Sequence, residues 1–183
     1  MELKLVAADD PILKTKCEDF NFEDPQTWPI ELAKDMVKFM YDNNGIGISA
    51  NQVGVPYRIF AMRGAPENFV CFNPKIVQRS EQEIVLEESS LTYPGLVVKI
   101  KRPQHVRVRF TVPNGETRTE TFTGISARVF QQMTNNLEGI IYFNFASRYH
   151  RDTALEKWRK GKRSAIQVNS SNGLSQYEYL LHK

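Results

Sequence analysis

The sequence of 183 residues predicts an α+β fold, from the order of its helical and strand-like segments. One helical pattern comes first, a series of short β-rich segments follows, and a second helical pattern begins only after them. Because helices and strands do not alternate, this order favours antiparallel strands over a doubly wound parallel sheet. The length suits one globular domain, which buries roughly 70% of the surface that its unfolded chain exposes.

The first helix is predicted over residues 27–43, because apolar residues recur there at helical spacing. The apolar stripe consists of Trp28, Leu32, Met36, Phe39 and Met40. Asn43-Asn44-Gly45 ends the helix, since Asn and Gly tolerate the left-handed conformation that a helix C-terminus often requires.

Short β-rich segments fill the middle of the chain, and prolines and glycines separate them. The predicted strands cover residues 46–50, 57–62, 68–72, 76–87, 96–100, 105–112 and 117–123. Asn114-Gly115 lies between the last two strands, and this dipeptide is a strong signal for a hairpin turn.

The second helix is predicted to begin near Ser126, which is a plausible N-cap, and to stop at Gly139. Its buried stripe consists of Val129, Met133 and Leu137. A basic helix follows over about residues 147–160, and a polar Asn-Ser-Ser-Asn-Gly run after it is typical of a linker. We therefore divide the chain into a domain over residues 1–163 and a C-terminal tail over 164–183, which docks on a partner or on the domain itself.

The composition is ordinary for a soluble protein, with 41% hydrophobic and 25% charged residues and a net charge of +3. That charge is too small to indicate nucleic-acid binding by the whole chain. Cys17 and Cys71 lack metal-site spacing, so two unpaired buried thiols are favoured and a single disulfide is the alternative. Neither a signal peptide nor an apolar stretch of membrane-spanning length is visible, which predicts synthesis in the cytoplasm without secretion.

Three motifs carry the chemistry. The first is Gly45-Ile46-Gly47-Ile48-Ser49-Ala50-Asn51-Gln52, the second is Glu88-Ser89-Ser90-Leu91-Thr92, and the third is Gln132, Met133 and Asn136 on the second helix. Together they resemble peptide deformylase, over about residues 1–160. The resemblance implies antiparallel sheets around a central helix, and removal of the formyl group from the N-terminal methionine of new polypeptides. It also implies Fe²⁺, Zn²⁺ or Ni²⁺ held by one Cys and two His.

Two groups that bind the oxyanion in the family are kept. The resemblance assigns the side chain of Gln52 and the backbone amide of Leu91 as hydrogen-bond donors to the oxyanion that forms when the formyl carbonyl is attacked. Such a donor contributes roughly 3–4 kcal/mol in a working hydrolase. Glu88 and Arg102 also match the family, and we expect them to form an ion pair that holds the loop.

The metal ligands and the general base are replaced. Ser90 stands at the position of the cysteine ligand, while Gln132 and Asn136 stand at those of the two histidines. A hydroxyl and two amides are poor ligands for these ions. Met133 stands at the position of the glutamate base, and a thioether does not accept a proton at neutral pH. No metal or cofactor is therefore predicted, and the three histidines, His105, His150 and His182, lie outside the motifs.

These replacements predict a non-catalytic scaffold, a pseudoenzyme kept as a structural or interaction module in a larger assembly. A component of a phage virion is the favoured setting, ahead of a ribosome-associated factor. Two alternatives stay open: an active metal-dependent deformylase with an altered site, and a protein that binds formylated peptides. A further alternative is that Met133 belongs to the core, and that Gln52 serves a closed polar network instead of an oxyanion.

The C-terminal region supplies the predicted interaction residues. They are Arg148, Arg151, Trp158 and Arg159 in the basic helix and Tyr177, Tyr179, Leu180 and Leu181 in the tail. The tail residues are natural anchors for a protein partner. The basic helix is either a solvated face or a weak contact with RNA or the ribosome.

Overall fold

A computed structural model describes residues 2–23 and 28–172, with side chains up to residue 161. Three helices are described: α1 (Pro29–Asp42), α2 (Gly124–Leu137) and α3 (Arg148–Asn172). Seven strands are described: β1 (Gly47–Ser49), β2 (Ile59–Met62), β3 (Phe69–Arg79), β4 (Glu83–Ser90), β5 (Tyr93–Pro103), β6 (His105–Thr111) and β7 (Thr117–Thr123). Short 3₁₀ turns occupy Pro11–Lys14, Ala50–Val53 and Tyr142–Phe145. The predicted α+β class is confirmed.

The strands form two antiparallel sheets. The larger sheet has five strands in the order β1-β2-β3-β6-β7, and the smaller sheet is the hairpin of β4 and β5. In the smaller sheet Glu88 lies opposite Val98, and the pairing becomes irregular between Glu88 and Ser90. Pairing resumes with Ser90 opposite Tyr93, so the second motif contains both the irregularity and the turn after β4.

Helix α2 lies at the centre of the fold, and its apolar residues complete the core of the larger sheet. Val129, Phe130, Met133 and Leu137 are buried together with the inner residues of the sheet strands. The rings of Phe130 and Phe60 meet edge to face, with centroids 5.0 Å apart. This packing fixes the apolar face of α2 against the larger sheet.

Several predicted boundaries were wrong, each for a local reason. Trp28 is 77% exposed, because it precedes α1 as its N-cap and does not join the buried stripe of Leu32, Met36 and Met40. Helix α2 begins at Gly124, with Thr123 as its N-cap, because β7 leads directly into the helix through the positive φ of Gly124.

Strands β3 and β5 and helix α3 are longer than predicted. Strand β3 runs through Pro74 with register shifts, so the two strands predicted at 68–72 and 76–87 are divided instead at residues 80–82. Helix α3 continues to Asn172 and includes the first four residues of the predicted linker. Ser and Asn cost a helix only about 0.5–0.7 kcal/mol each, unlike Pro, so they do not have to end it. The domain boundary at 163/164 stays a prediction.

No helix within residues 2–23 and 28–172 is long and apolar enough to cross a membrane.

Cys17 and Cys71 are buried free thiols, as predicted. Burial raises the pKa of Cys17 to about 11, although the nearby charge of Arg58 opposes the rise. Burial also raises the pKa of Cys71 well above its usual value.

Gly139 ends α2 with a φ of 72°, and a Cβ at this position would lie 2.6 Å from the carbonyl oxygen of Lys14. Gly115 has a φ of 88°, but a Cβ there would meet no atom within 4 Å. Replacing Gly115 by Ala therefore measures the cost of the positive φ without a steric clash. We expect Gly115→Ala to lower the free energy of unfolding by about 1–2 kcal/mol. Gly139→Ala adds the steric clash and should lose about 3 kcal/mol or more in urea titration. Equal losses would contradict this close packing.

The buried thiols predict a slow reaction with a disulfide reagent. At pH 8 a thiol with a pKa of about 11 is only about 0.1% thiolate, which is the reactive form. We expect two thiols per chain to react rapidly in denaturant without reductant, and neither to react rapidly in the native protein. A denatured, unreduced chain without reactive thiols would indicate a disulfide instead.

Candidate active site

The first motif places the amide of Gln52 in a fixed orientation. The backbone N–H and the hydroxyl of Ser49 both donate to Oε1 of Gln52, at 3.0 and 2.9 Å. With its oxygen held there, Nε2 of Gln52 donates to the hydroxyl oxygens of Ser90, at 3.1 Å, and Thr92, at 2.8 Å. The 3₁₀ turn Ala50–Val53 thus directs an N–H donor at the turn after β4.

Glycine in the first motif allows β1 to lie against α2. A Cβ on Gly47 would lie 2.7 Å from Cγ1 of Val129 and 3.3 Å from the sulfur of Met133. Between Gly45 and Gly47, the side chain of Ile46 points outward and is 53% exposed. The absence of a Cβ on Gly47 therefore lets β1 approach α2 closely, which brings Gln52 near the helix.

Helix α2 carries a polar stripe of Arg128, Gln132 and Asn136, spaced by four residues so that they share one face. Arg128 donates to Glu88 at 2.9 Å, and Gln132 donates to the carbonyl oxygen of Ser89 at 2.8 Å. Asn136 donates to the hydroxyl of Ser49 at 3.1 Å. The polar stripe therefore joins α2 to the end of β4 and to the turn after β1.

Glu88 lies between two buried arginines. Its carboxylate accepts from Nε of Arg102 at 2.5 Å and from Nη2 of Arg102 at 3.0 Å, which confirms the predicted pair. Arg128 adds a second cation and also donates to the carbonyl oxygens of Ile84 and Ile100. The side chains of Glu88, Arg102 and Arg128 are all 5% exposed or less. The sequence analysis missed Arg128, although its place one turn before Gln132 is a signal that was available.

Met133 lies in the apolar core and not in the cleft. It is 4% exposed and packs with Val129, Phe130 and Leu137. This supports the alternative that Met133 belongs to the core. No proton acceptor therefore stands at the position of the family's general base.

A small cavity lies beside the network. It has a volume of about 10 Å³ and is lined by Leu13, Asn51, Gln52, Ser90, Thr92, Tyr93, Asn136, Ile141 and Tyr142. Nδ2 of Asn51 donates to the carbonyl oxygen of Asn136 at 2.8 Å. Oδ1 of Asn51 is buried without a hydrogen-bond partner among the described residues. The cavity is polar on one side and too small for an amino-acid side chain.

The residues at the metal positions do not fit the ion that the family resemblance implies. Ser90 and Asn136 both lie beside Gln52, and Gln132 contacts the carbonyl oxygen of Ser89, but the three residues offer only a hydroxyl and two amides. Fe²⁺, Zn²⁺ and Ni²⁺ prefer thiolate and imidazole. Nowhere in residues 2–23 and 28–172 do three His, Cys, Asp or Glu side chains cluster closely enough to hold an ion.

Comparison with known proteins decides the family. The profile described as "Polypeptide deformylase" matches residues 2–152. This chain belongs to the peptide deformylase family. A peptide deformylase of Pseudothermotoga lettingae is 36% identical over 145 residues, covering 79% of this chain and 82% of that protein. One of Bradyrhizobium diazoefficiens is 35% identical over 144 residues, covering 74% and 83%.

Solved structures agree with the fold. The peptide deformylase of Thermus thermophilus has a TM-score of 0.80 at 28% identity, covering 87% of this chain and 94% of that one. The enzyme of Synechococcus elongatus, solved with actinonin, has a TM-score of 0.78 at 26% identity, covering 85% of each chain. The predicted deformylase fold is confirmed.

These comparisons contradict the prediction of a non-catalytic structural module. Relatives that cover about three quarters or more of this deformylase-family chain carry the name of an enzyme, and a Plasmodium falciparum relative was solved with an inhibitor. The predictions that the chain is not an enzyme, and that it is a pseudoenzyme or a phage virion component, are therefore wrong. They rested on four replaced positions, whereas the similarity to enzymes extends over 145 residues.

The predicted interaction residues divide into four groups. Trp158 donates to the carbonyl oxygen of Pro94 at 2.7 Å and packs near Tyr93, so it fastens α3 to the domain. Arg148 and Arg159 are exposed on α3. Arg151 is half-buried and donates to the carboxylate of Asp152. Tyr177, Tyr179, Leu180, Leu181 and His182 lie outside the described residues. Contacts with a protein partner or RNA stay predictions.

The buried cluster predicts that Glu88 is required for folding. Glu88→Gln leaves two buried arginines without a counter-charge, and breaking a buried pair costs about 3–5 kcal/mol. Glu87→Gln is the matched control, because Glu87 is exposed on the opposite face of β4 and should change stability by less than about 0.5 kcal/mol. Urea unfolding of both variants measures this, and similar stabilities would contradict the role of the cluster.

Proposed function

We propose that the protein acts on the formylated amino end of peptides, with the formyl group held beside Gln52. The observation that carries the proposal is the orientation of Gln52, whose amide oxygen is held by Ser49 while its N–H groups face Ser90 and Thr92. The similarity to proteins named peptide deformylase over most of the chain supports this substrate class. Newly made polypeptides as substrates would place the action in the cytoplasm.

The chemistry at Gln52 suits a neutral carbonyl oxygen. The two N–H groups of Gln52 donate to Ser90 and Thr92, and a formyl oxygen would take the place of one of these hydroxyls or accept from the proton that each hydroxyl keeps. Glu88, the nearest carboxylate in the motif, is already neutralised by Arg102 and Arg128, so it does not repel a carbonyl oxygen. Each neutral hydrogen bond contributes about 1 kcal/mol to binding.

Turnover is expected to be slow. Met133 faces the core and takes no proton, and loss of a general base alone costs about 10²- to 10⁴-fold in rate. Binding and hydrolysis must therefore be measured separately. A slow rate of formate release is the expected outcome for the unaltered chain.

The test compares formyl-Met-Ala-Ser with acetyl-Met-Ala-Ser and free Met-Ala-Ser, using calorimetry for binding and formate release for turnover. Gln52→Glu keeps the shape and the acceptor for Ser49 but removes the N–H donors. We expect the preference for the formylated peptide to fall by about 5- to 10-fold. Gln78→Glu makes the same charge change on the exposed part of β3 and should leave the preference intact.

Two results would reject the proposal. One is an unaltered chain that neither prefers nor hydrolyses the formylated peptide. The other is a Gln52→Glu variant that behaves like Gln78→Glu in both assays.

A further inference from the structure

We propose that this chain binds no divalent transition metal at the family's site, and that a hydrogen-bond network joins the two segments that the ion would join. The inference deepens the proposed function and rests on it for the place of the substrate. Metal content is measured without substrate, so the two proposals can fail separately.

The first step is the chemistry of the three positions. Ser90, Gln132 and Asn136 offer neutral oxygen or nitrogen atoms, which hold Zn²⁺, Ni²⁺ or Fe²⁺ weakly compared with thiolate and imidazole. Hard ions such as Ca²⁺ need six to eight oxygen ligands, and protein sites supply these with carboxylates as well as carbonyl oxygens. Glu88 is unsuited to that role, because both of its oxygens accept hydrogen bonds from buried arginines.

The second step is that the polar groups are already engaged. Gln132 donates to the carbonyl oxygen of Ser89, and Asn136 donates to Ser49 at 3.1 Å and to Gln52 at 3.4 Å. The hydroxyl oxygen of Ser90 accepts from Gln52 at 3.1 Å. An ion entering here would have to break these bonds, and each buried group left unpaired costs about 1–3 kcal/mol.

The third step is the path of the network through the fold. It runs from α2 through Asn136 to the turn after β1, and from Gln52 to the turn after β4. Gln132 closes it by joining α2 to β4 directly. A metal held from positions 90, 132 and 136 would connect α2 to the turn after β4. The network makes that connection without an ion and adds the turn after β1.

The fourth step is that the backbone frame for a metal is kept. Positions 132 and 136 are one turn apart on the same face of α2. Position 90 is held against that face by the contacts of Ser89 and Gln52. Only the three side chains therefore separate this chain from a metal site.

The experiment compares the full chain with the triple variant Ser90→Cys, Gln132→His, Asn136→His. Each protein is incubated with excess Zn²⁺, Ni²⁺ or Co²⁺, desalted, and analysed for metal by mass spectrometry. We expect about 0.1 ion per chain or fewer in the unaltered protein and about one in the triple variant. Co²⁺ bound by the new thiolate should add a visible absorption band. Saturating Zn²⁺ should raise the melting temperature of the triple variant by about 5 °C or more. The unaltered protein should melt at the same temperature with Zn²⁺ or with a chelator.

Two controls keep the result clear. The double variant Gln132→His, Asn136→His is used if the triple variant does not fold, and it should bind Ni²⁺ through two imidazoles. Lys34→His, Lys38→His places the same spacing on the exposed face of α1 and measures the affinity of an isolated histidine pair. The triple variant should bind Zn²⁺ at least about tenfold more tightly than this control.

Two outcomes would overturn the inference. One is an unaltered chain that retains about one ion after desalting and loses it in Ser90→Ala or Asn136→Ala. The other is a folded triple variant that binds no more metal than the control on α1. That result would mean that the backbone positions 90, 132 and 136 no longer suit a metal, whichever side chains they carry.

Discussion

The buried contact between Glu88 and two arginines governs the position of the second motif. Its carboxylate is shared by Arg102 from β5 and Arg128 from α2, so it joins the smaller sheet to the central helix. Burial makes such a contact costly to form and more costly to break, because a charge left behind has no water to compensate it. The contact thereby fixes where Ser89, Ser90 and the turn after β4 lie. The shape of the cleft therefore depends on an ion-pair cluster outside it. The three charged residues of this cluster come from β4, β5 and α2.

The polar stripe on α2 continues from this fixed point toward β1. Arg128, Gln132 and Asn136 each contact a different part of the neighbouring backbone or side chains, one helical turn apart. The opposite face of the same helix packs in the core. A central helix with one apolar and one polar face is stable only if every polar group on it has a partner, since unpaired buried groups are penalised. The replaced residues meet this requirement with hydrogen bonds where the family resemblance implies an ion.

Family membership and site chemistry give different kinds of information about this protein. Similarity over most of the chain fixes the family and the fold. The side chains at positions 90, 132 and 136 determine only whether an ion binds. A fold carries chemistry through particular side chains, so the same framework can keep a substrate contact while its ligand set changes. Gln52 shows this separation in part, since Ser49 supplies the two shorter contacts of its amide oxygen and Asn136 adds only a longer one, at 3.4 Å.

Local sequence patterns determined the α+β class and the strands β6 and β7. The family resemblance of the motifs implied that Gln52, Ser90 and Asn136 lie together and that Glu88 pairs with Arg102. These follow from turn residues, helical spacing and motif order, which act over a few residues or come with a whole motif. Tertiary structure decided the rest. Arg128 gains its role only because β4 crosses α2, Trp28 is exposed because the chain turns into α1 after it, and Trp158 is fastened because α3 packs on β5. Contacts between residues distant in the chain depend on how whole elements pack, and no local pattern encodes that packing.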